Sequence, residues 1–340
     1  MKAAIKRAAH TVFNLPGVRQ ALLTRRRGSV AVLMYHGVVS DESPCDAWTL
    51  MRASEFEQQL EFLRRHFTPL TMDQVLDPPA GLKRPAVALT FDDGLRNNLR
   101  IALPLLESHE IPAIVYACSQ AIENQQLFWW DQITLALQYS RASELDLSEF
   151  GMGRKVFTES SARGRWSDIQ ALLETIQSDA YSEKETIARH ISKQLLSSPE
   201  MQLDEFGVLT IDELRELASA DVITIGSHTH THDLLTRVSP EEARSTIAHG
   251  IEKLEGWLGT KIRHFAYPGG FYNSETLGYL RELNVETAVT TQSGTTVRST
   301  NPLEIPRISM GAYDRTSEWK ANLLGLADSV AWVKGLRSSA

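Results

Sequence analysis

The chain has 340 residues, of which 42% are hydrophobic and 23% charged, with 20 Gly and 13 Pro. This composition is typical of a globular protein and excludes collagen-like, coiled-coil and wholly disordered chains. The net charge of −7 argues against a nucleic-acid partner, because binding phosphates needs a basic surface. No apolar run approaches the ~18 residues that a membrane span needs. We therefore expect a soluble or, at most, a peripheral protein.

The first segment, residues 1–27, is a basic leader with seven Lys and Arg and no acidic residue. Its apolar residues recur at helical spacing, so it could lie as an amphipathic helix on an anionic membrane face. The alternative is a helix that is solvated or packed on a partner. Polar residues interrupt any export-signal core. We therefore expect a cytoplasmic protein, with contact at the inner face of the membrane as an option.

Apolar runs without polar interruption predict buried parallel strands. They are Val30–Tyr35, Ala86–Phe91, Ala113–Ala117, Val222–Gly226 and His264–Tyr267. Helical patterns separate them: Ser54 and Glu57 form a capping-box pattern before a helix that ends near Phe67, and Ser239-Pro240 begins another. Strands that alternate with helices predict parallel βαβ units, in an open sheet or a closed barrel.

Residues 120–208 interrupt this alternation and are mostly helical in character. We interpret them as an insertion in the barrel that covers the site, and not as a separate domain. The predicted organisation is a barrel over residues 28–315, followed by a C-terminal helical tail over 316–340.

Polar residues follow the apolar runs at their downstream ends. They are His36, Asp92, Asp93, His228, His232 and the Pro268-Gly269-Gly270 turn. The carboxyl ends of parallel strands meet on one face of a barrel, where active sites lie. The sequence therefore predicts that four separate segments contribute to one site.

Three histidines in five residues, His228, His230 and His232, indicate metal binding. A helical turn would bring His228 and His232 together, whereas an extended segment would pair His230 with either neighbour. Two imidazoles and one carboxylate leave coordination positions open, which is typical of a catalytic site. Of the adjacent Asp92 and Asp93, one can bind the metal while the other reaches a substrate water; the alternative is a loop or helix-capping role.

The motifs as a set resemble the polysaccharide deacetylases, the NodB-like carbohydrate esterase family 4. Residues 90–94 match the first family motif, Thr-Phe-Asp-Asp-Gly, and residues 228–232 match the second, His-(Ser/Thr)-x-x-His. Residues 33–38 resemble the N-terminal Tyr-His-Gly element of the branch that includes poly-N-acetylglucosamine deacetylases. The resemblance covers roughly residues 30–310, with 120–208 poorly matched.

This resemblance implies a distorted (β/α) barrel that hydrolyses the N-acetyl group of an amino sugar with a divalent metal. It assigns Asp93, His228 and His232 as the metal ligands and Asp92 as the base. The metal and a backbone N–H near Gly269 would stabilise the oxyanion. Zn²⁺ suits two imidazoles and one carboxylate.

The chain also departs from the family pattern. The third motif begins with Ala266 where Arg is usual, and the C-terminal Leu-x-x-His acid is absent, which makes His36 the candidate acid. Arg307 could orient a group of the site, or it could form a structural salt bridge. The candidate substrate and oxyanion residues are Tyr267, Pro268, Gly269, Gly270 and Arg307.

The leading functional hypothesis is an amino-sugar N-deacetylase that acts on an N-acetylated glycan or a lipid-linked sugar in glycan assembly. A second hypothesis is a deformylase or another hydrolase of non-peptide C–N bonds with a small substrate. A third is a non-catalytic glycan-binding protein, for which loss of Asp92 should be without effect.

Overall fold

The computed structural model describes the central part of the chain. The described residues are 17–43, 45, 47–140, 142–157, 166–177, 183–195, 206–311, 319–320 and 323–325. Most of the predicted basic leader and nearly all of the predicted C-terminal tail lie outside these residues, so both stay predictions.

The described strands and helices alternate along most of the chain. The strands are β1 (Val30–Tyr35), β2 (Gly37–Val39), β3 (Leu50–Arg52), β4 (Thr68–Pro69), β5 (Ala86–Phe91), β6 (Ala113–Ala117), β7 (Glu144–Leu147), β8 (Gly153–Val156), β9 (Ile223–Ser227), β10 (His264–Ala266), β11 (Thr287–Val289) and β12 (Ile308–Ser309). The α-helices are α1 (Val18–Arg25), α2 (Ala53–His66), α3 (Leu103–Ser108), α4 (Ser119–Asn124), α5 (Trp129–Tyr139), α6 (Trp166–Gln177), α7 (Lys184–Leu195), α8 (Ile211–Ala218), α9 (Pro240–Leu258) and α10 (Ser274–Glu282).

The main sheet has the strand order β11-β10-β9-β6-β5-β1-β12, and β4 pairs with the beginning of β5. All of its pairings are parallel. A parallel bridge from Val289 to Ile305 and the pairing of Leu33 with Ile308 connect the two edges of the sheet through the segment 305–309. The sheet is thus curled into a distorted barrel, and the predicted α/β barrel class is confirmed.

The central strands are apolar because they are covered on both faces. All six residues of β1 and all six of β5 are buried. Three predicted strands have the observed bounds, while β9 lies one residue downstream of its prediction and β10 is one residue shorter.

The helix starts show where local prediction succeeds and fails. The capping box of Ser239 and Glu242 is present at the start of α9. The predicted capping box at Ser54 is wrong: α2 begins at Ala53, and the Ser54 N–H and hydroxyl both donate to Asp41 Oδ1, at 3.2 and 2.7 Å. Asp41, which lies outside the helix, thus accepts the hydrogen bond of a free N–H group in the first turn, where the sequence pattern predicts a cap from within the helix.

The insertion is mainly helical, as predicted, but it also contains an antiparallel hairpin of β7 and β8. Polar sequence concealed this hairpin, since β8 alternates between half-buried and exposed residues. Helices α5, α6 and α7 pack together through apolar side chains. The side chains with essentially no exposure include Ile133, Leu137, Ile169, Ile187 and Ile191. Within the part of the chain that the structure describes, no helix is long and apolar enough to cross a membrane.

Candidate active site

The carboxyl ends of the barrel strands open into a cavity of about 840 Å³. His36 follows β1, Asp92 and Asp93 follow β5, and His228 and His232 lie at and just beyond the end of β9. All five residues line the cavity. The insertion completes its wall with residues of α5, α6 and α7.

Three of these side chains converge on one point. Asp93 Oδ1 lies 3.3 Å from His232 Nε2 and 3.6 Å from His228 Nε2, and the three ligand atoms lie within 4.8 Å of one another. Asp93 Oδ1 is buried, yet it accepts no hydrogen bond of acceptable geometry. A buried carboxylate oxygen without a donor is costly unless a cation satisfies it. The donor set therefore fits a divalent metal ion with coordination positions left open.

The hydrogen bonds of His228 prepare it to act as a ligand. Its Nδ1 lies 2.8 Å from the Ala266 carbonyl oxygen, so Nδ1–H donates there and Nε2 faces Asp93 with a free lone pair. Burial lowers the pKa of His228 to about 4, despite the opposing effect of Asp92, so the ring is neutral near pH 7. The remaining member of the motif, His230, contacts Ser119 Oγ at 2.8 Å instead.

Two of the three ligand residues have strained backbone. Asp93 has φ +77° and His232 has φ +61°, and between the histidines Thr229 has φ +67°. Residues with a side chain rarely adopt this left-handed region, and such strain concentrates at functional sites. The turn after β9 also packs directly on α9, where a Cβ added at Gly250 would lie 2.6 Å from the Thr229 carbonyl carbon.

Asp92 forms a buried bidentate ion pair with Arg307, with both N–O distances 2.7 Å. Arg307 also donates to the Thr290 carbonyl oxygen at 2.9 Å and to Thr90 Oγ1 at 3.0 Å, so its guanidinium is fixed. Burial favours a raised pKa for Asp92, but the Arg307 guanidinium outweighs burial and holds that pKa well below its usual range. Arg307 thus both forms a buried salt bridge and orients the Asp92 carboxylate. Arg307 itself is not among the residues of the cavity wall.

His36 lies in the same cavity wall and is half-buried. Its ring packs edge-on against Trp48, with the ring centroids 5.0 Å apart. Its carbonyl oxygen accepts a hydrogen bond from Asn98 Nδ2 at 2.7 Å, which fixes the backbone at the end of β1. Charge on His36 would lower the pKa of both Asp92 and Asp93, so the ring is close enough to influence the carboxylates.

The four third-motif residues after β10, Tyr267 to Gly270, form a turn, and of these only Gly269 belongs to the cavity wall. Tyr267 is buried, and its hydroxyl donates to the Leu303 carbonyl oxygen at 3.0 Å. The Gly270 N–H is taken by the Tyr267 carbonyl at 2.8 Å, and a Cβ at Gly270 would lie 2.1 Å from Thr291 Oγ1. Tyr267, Pro268 and Gly270 therefore support the turn that presents Gly269.

Sequence reasoning does not predict the aromatic wall that lies beside the candidate metal ligands. Phe128 and Trp130 stack with centroids 4.6 Å apart and an interplanar angle of 9°, and their rings lie 5.2 and 4.7 Å from the His232 ring. Next to them, Asp131 is 5% exposed, and burial followed by the nearby Asp93 raises its pKa well above the usual range. In the sequence, the Phe-Trp-Trp-Asp run at residues 128–131 is the pattern that could have indicated this aromatic wall.

An α/β barrel that carries a buried Asp-His-His cluster beside an arginine-paired aspartate has the residue types of a metal-dependent hydrolase site. The chain matches the family model described as polysaccharide deacetylase over residues 80–146 and 182–288, just over half of its length. The chain therefore belongs to the polysaccharide deacetylase family. The resemblance inferred from the Thr90–Gly94 and His228–His232 motifs is confirmed, and so is the prediction that the chain belongs to an enzyme family.

Among curated proteins, YxkH of Bacillus subtilis, whose name places it among the polysaccharide deacetylases, is 28% identical over 100 residues. The match spans 29% of this chain and 36% of that relative. The Streptococcus pyogenes deacetylase PplD in complex with acetate is 19% identical, with a TM-score of 0.55, over 87% of this chain and 96% of its own. IcaB from Ammonifex degensii is 18% identical, with a TM-score of 0.55, over 87% of this chain and 97% of its own. At these identities the two structures show the fold.

Proposed function

We propose that the protein hydrolyses the N-acetyl group of an amino sugar within a polysaccharide or glycan precursor, with a divalent metal ion. The observation that carries this proposal is the convergence of Asp93, His228 and His232 beside Asp92 in one cavity. Zn²⁺ is the ion that two imidazoles and a carboxylate suit best.

Held by Asp93, His228 and His232, such an ion would polarise the acetamide carbonyl and acidify a bound water. Asp92 takes up the proton of the attacking water as general base. Its ion pair with Arg307 keeps it ionised and aimed. We assign His36, in the same cavity wall, to protonating the leaving amine. We assign the backbone N–H of Gly269 to donating a hydrogen bond to the oxyanion.

The cavity supports a sugar substrate through its size and lining. A volume of about 840 Å³ lies within the range of small-ligand sites, and aromatic rings border the metal ligands. An N-acetylated glycan end or a lipid-linked sugar would fit this description. A cytoplasmic location, with residues 1–27 at an anionic membrane face, is part of the proposal and rests on the charge of that segment.

The test is to incubate the purified protein with N-acetylglucosamine oligosaccharides and with nucleotide- and lipid-linked N-acetylated sugars. We expect acetate release that a chelator abolishes and added Zn²⁺ restores. Asp92→Asn should bind the metal but turn over about 10²–10⁴-fold more slowly, whereas Asp221→Asn, at an exposed position, should be unaffected.

Other outcomes identify the competing hypotheses. Release of formate or ammonia instead of acetate would replace the proposal by a deformylase or another C–N hydrolase. Glycan binding without turnover, unchanged by Asp92→Asn, would replace it by a binding protein.

A further inference from the structure

Asp131 carries a carboxyl group that the described residues leave without a partner. It lies in the first turn of α5, lines the cavity and is 5% exposed. Among the described residues, none donates a hydrogen bond to it or forms an ion pair with it, and only burial and Asp93 perturb its pKa. The insertion therefore places a nearly enclosed polar group beside the metal ligands.

Such a group is destabilising unless something satisfies it. A buried carboxyl without a hydrogen-bond partner costs free energy that an apolar side chain at the same position would not. Glu174 and Glu185 also line the cavity, but they are exposed, so water can solvate them. Asp131 thus differs from Glu174 and Glu185, the other carboxylates that the insertion contributes to the cavity wall, because it is nearly enclosed and has no protein partner among the described residues.

The neighbours of Asp131 indicate the kind of ligand. Phe128 and Trp130 present a stacked aromatic pair that touches the His232 ring. Aromatic faces pack against apolar surface, and small-molecule sites add a few placed polar groups that fix orientation. A pyranose ring offers both features, because it has an apolar C–H face and hydroxyl groups at its edge.

We propose that Phe128, Trp130 and Asp131 form a sugar-recognition subsite for the ring that carries the acetamide. The aromatic pair packs on the ring face, and the Asp131 carboxyl hydrogen-bonds to a ring hydroxyl. Asp131 is then a specificity-determining residue for the reaction, not a catalytic one. This inference rests on the proposed function, because the subsite is useful only if the acetamide belongs to a sugar.

The test compares a sugar substrate with a sugar-free one, an N-acetylglucosamine oligosaccharide and 4-nitrophenyl acetate. Asp131→Ala should raise KM for the oligosaccharide by about 10–100-fold, the loss expected for a hydrogen bond to a carboxyl group. For the oligosaccharide, kcat of this variant should stay within about 3-fold of the wild-type value, and its hydrolysis of 4-nitrophenyl acetate should be unchanged. Asp131→Asn, which keeps one hydrogen-bonding oxygen, should recover part of the loss. The matched control is Glu144→Gln, an exposed carboxylate of the same insertion.

Monodeoxy analogues of the acetamide-bearing ring identify the hydroxyl. With the wild type, the analogue that lacks this hydroxyl should have a KM raised by the same factor as the Asp131→Ala substitution causes. With Asp131→Ala, the same analogue should have the KM of the parent oligosaccharide, since a shared interaction can be removed only once. Metal content and the melting temperature of each variant verify that it is folded.

The results separate the subsite from the proposed function. Acetate release by the wild type, with an unchanged KM in Asp131→Ala, overturns the subsite alone. Loss of kcat for both substrates overturns it too, because Asp131 would then act in the chemistry. Ester hydrolysis by the wild type without turnover of any N-acetylated sugar overturns the proposed function and the subsite together.

Discussion

Arg307 and Asp92 lie 215 residues apart in the chain and form a buried bidentate ion pair, of which only Asp92 belongs to the cavity wall. The family pattern usually places an Arg at the start of the third motif, where this chain has Ala266. Here a guanidinium from the segment that closes the barrel contacts the candidate base instead. The position of Asp92 therefore depends on the last strand of the sheet.

Loss of this guanidinium should affect both stability and rate. Arg307→Ala leaves a buried carboxylate without its cation, which costs about 3–5 kcal/mol in the free energy of unfolding. It should also slow turnover about 100-fold because Asp92 is no longer held, and the acid limb of the pH–rate profile should move to higher pH because burial then dominates the pKa of Asp92. Urea unfolding and kcat/KM against pH measure these effects.

The control for that variant is Arg244→Ala, which removes an ion pair with Glu282 in which both side chains are more than half exposed. An exposed pair contributes about 0–1 kcal/mol, so this variant should unfold close to the wild type. An equal destabilisation in both variants would contradict the special role of the buried pair.

The Asp92–Arg307 pair also predicts how stability depends on pH. The pKa of Asp92 is lower in the folded protein than the value of about 4 in an unfolded chain, so its contribution is complete above pH 4 and is lost as pH falls through the folded pKa. The destabilisation caused by Asp92→Asn should therefore be full at pH 7 and shrink below pH 4. Unfolding free energies at pH 7, 5 and 3 measure this, and a difference that is constant over this range would refute it.

Removal of one imidazole should remove the metal. His228→Ala and His232→Ala should each lower Zn²⁺ affinity by more than the roughly 10–100-fold that loss of an outer hydrogen-bond partner costs. Equilibrium dialysis with metal analysis is the measurement. His230→Ala is the control from the same motif, because its ring contacts Ser119 and lies outside the cluster. Full metal occupancy in the His228 variant would show that the ligand set is wrong.

Two glycines of α9 should respond in opposite ways to the same substitution. Gly250→Ala places a methyl group against the backbone of Thr229, and such overpacking costs about 1–3 kcal/mol. It should also weaken metal binding, since Thr229 lies between the two ligand histidines. Gly256 has no atom within 4 Å of an added Cβ, so Gly256→Ala should stabilise the helix by about 0.5–1 kcal/mol. Thermal unfolding that shifts equally in both variants would be inconsistent with the close packing of α9 on the turn.

Sequence reasoning found the parts of the site that depend on local order. Buried parallel strands are uninterrupted apolar runs, so their ends could be read from the sequence, and His36, Asp92, Asp93 and the His228–His232 motif follow those ends directly. The structure brings all of them into one cavity. The choice between helical and extended pairing of the histidines came from the resemblance, because spacing alone does not determine backbone conformation.

The parts that sequence reasoning could not supply depend on contacts between distant segments. The role of Arg307 follows from the register of β12 against β1, which no local pattern encodes. In the same way, Asp41 replaces the predicted cap at Ser54. Asp131 gives no distinct signal in the sequence because an acidic residue in the first turn of a helix is ordinary. Only the packing of the insertion shows that it is enclosed.

The closure of the barrel by residues 305–309 has a consequence for how the protein matures. The three candidate ligands all precede that segment, so their convergence does not require the final strand to have docked, whereas the fixed position of Asp92 does. Contacts between distant residues form late because the intervening chain must first be ordered. Metal binding and catalytic activity would then be recovered in two separate steps during refolding. Only the recovery of activity would show that the barrel has closed.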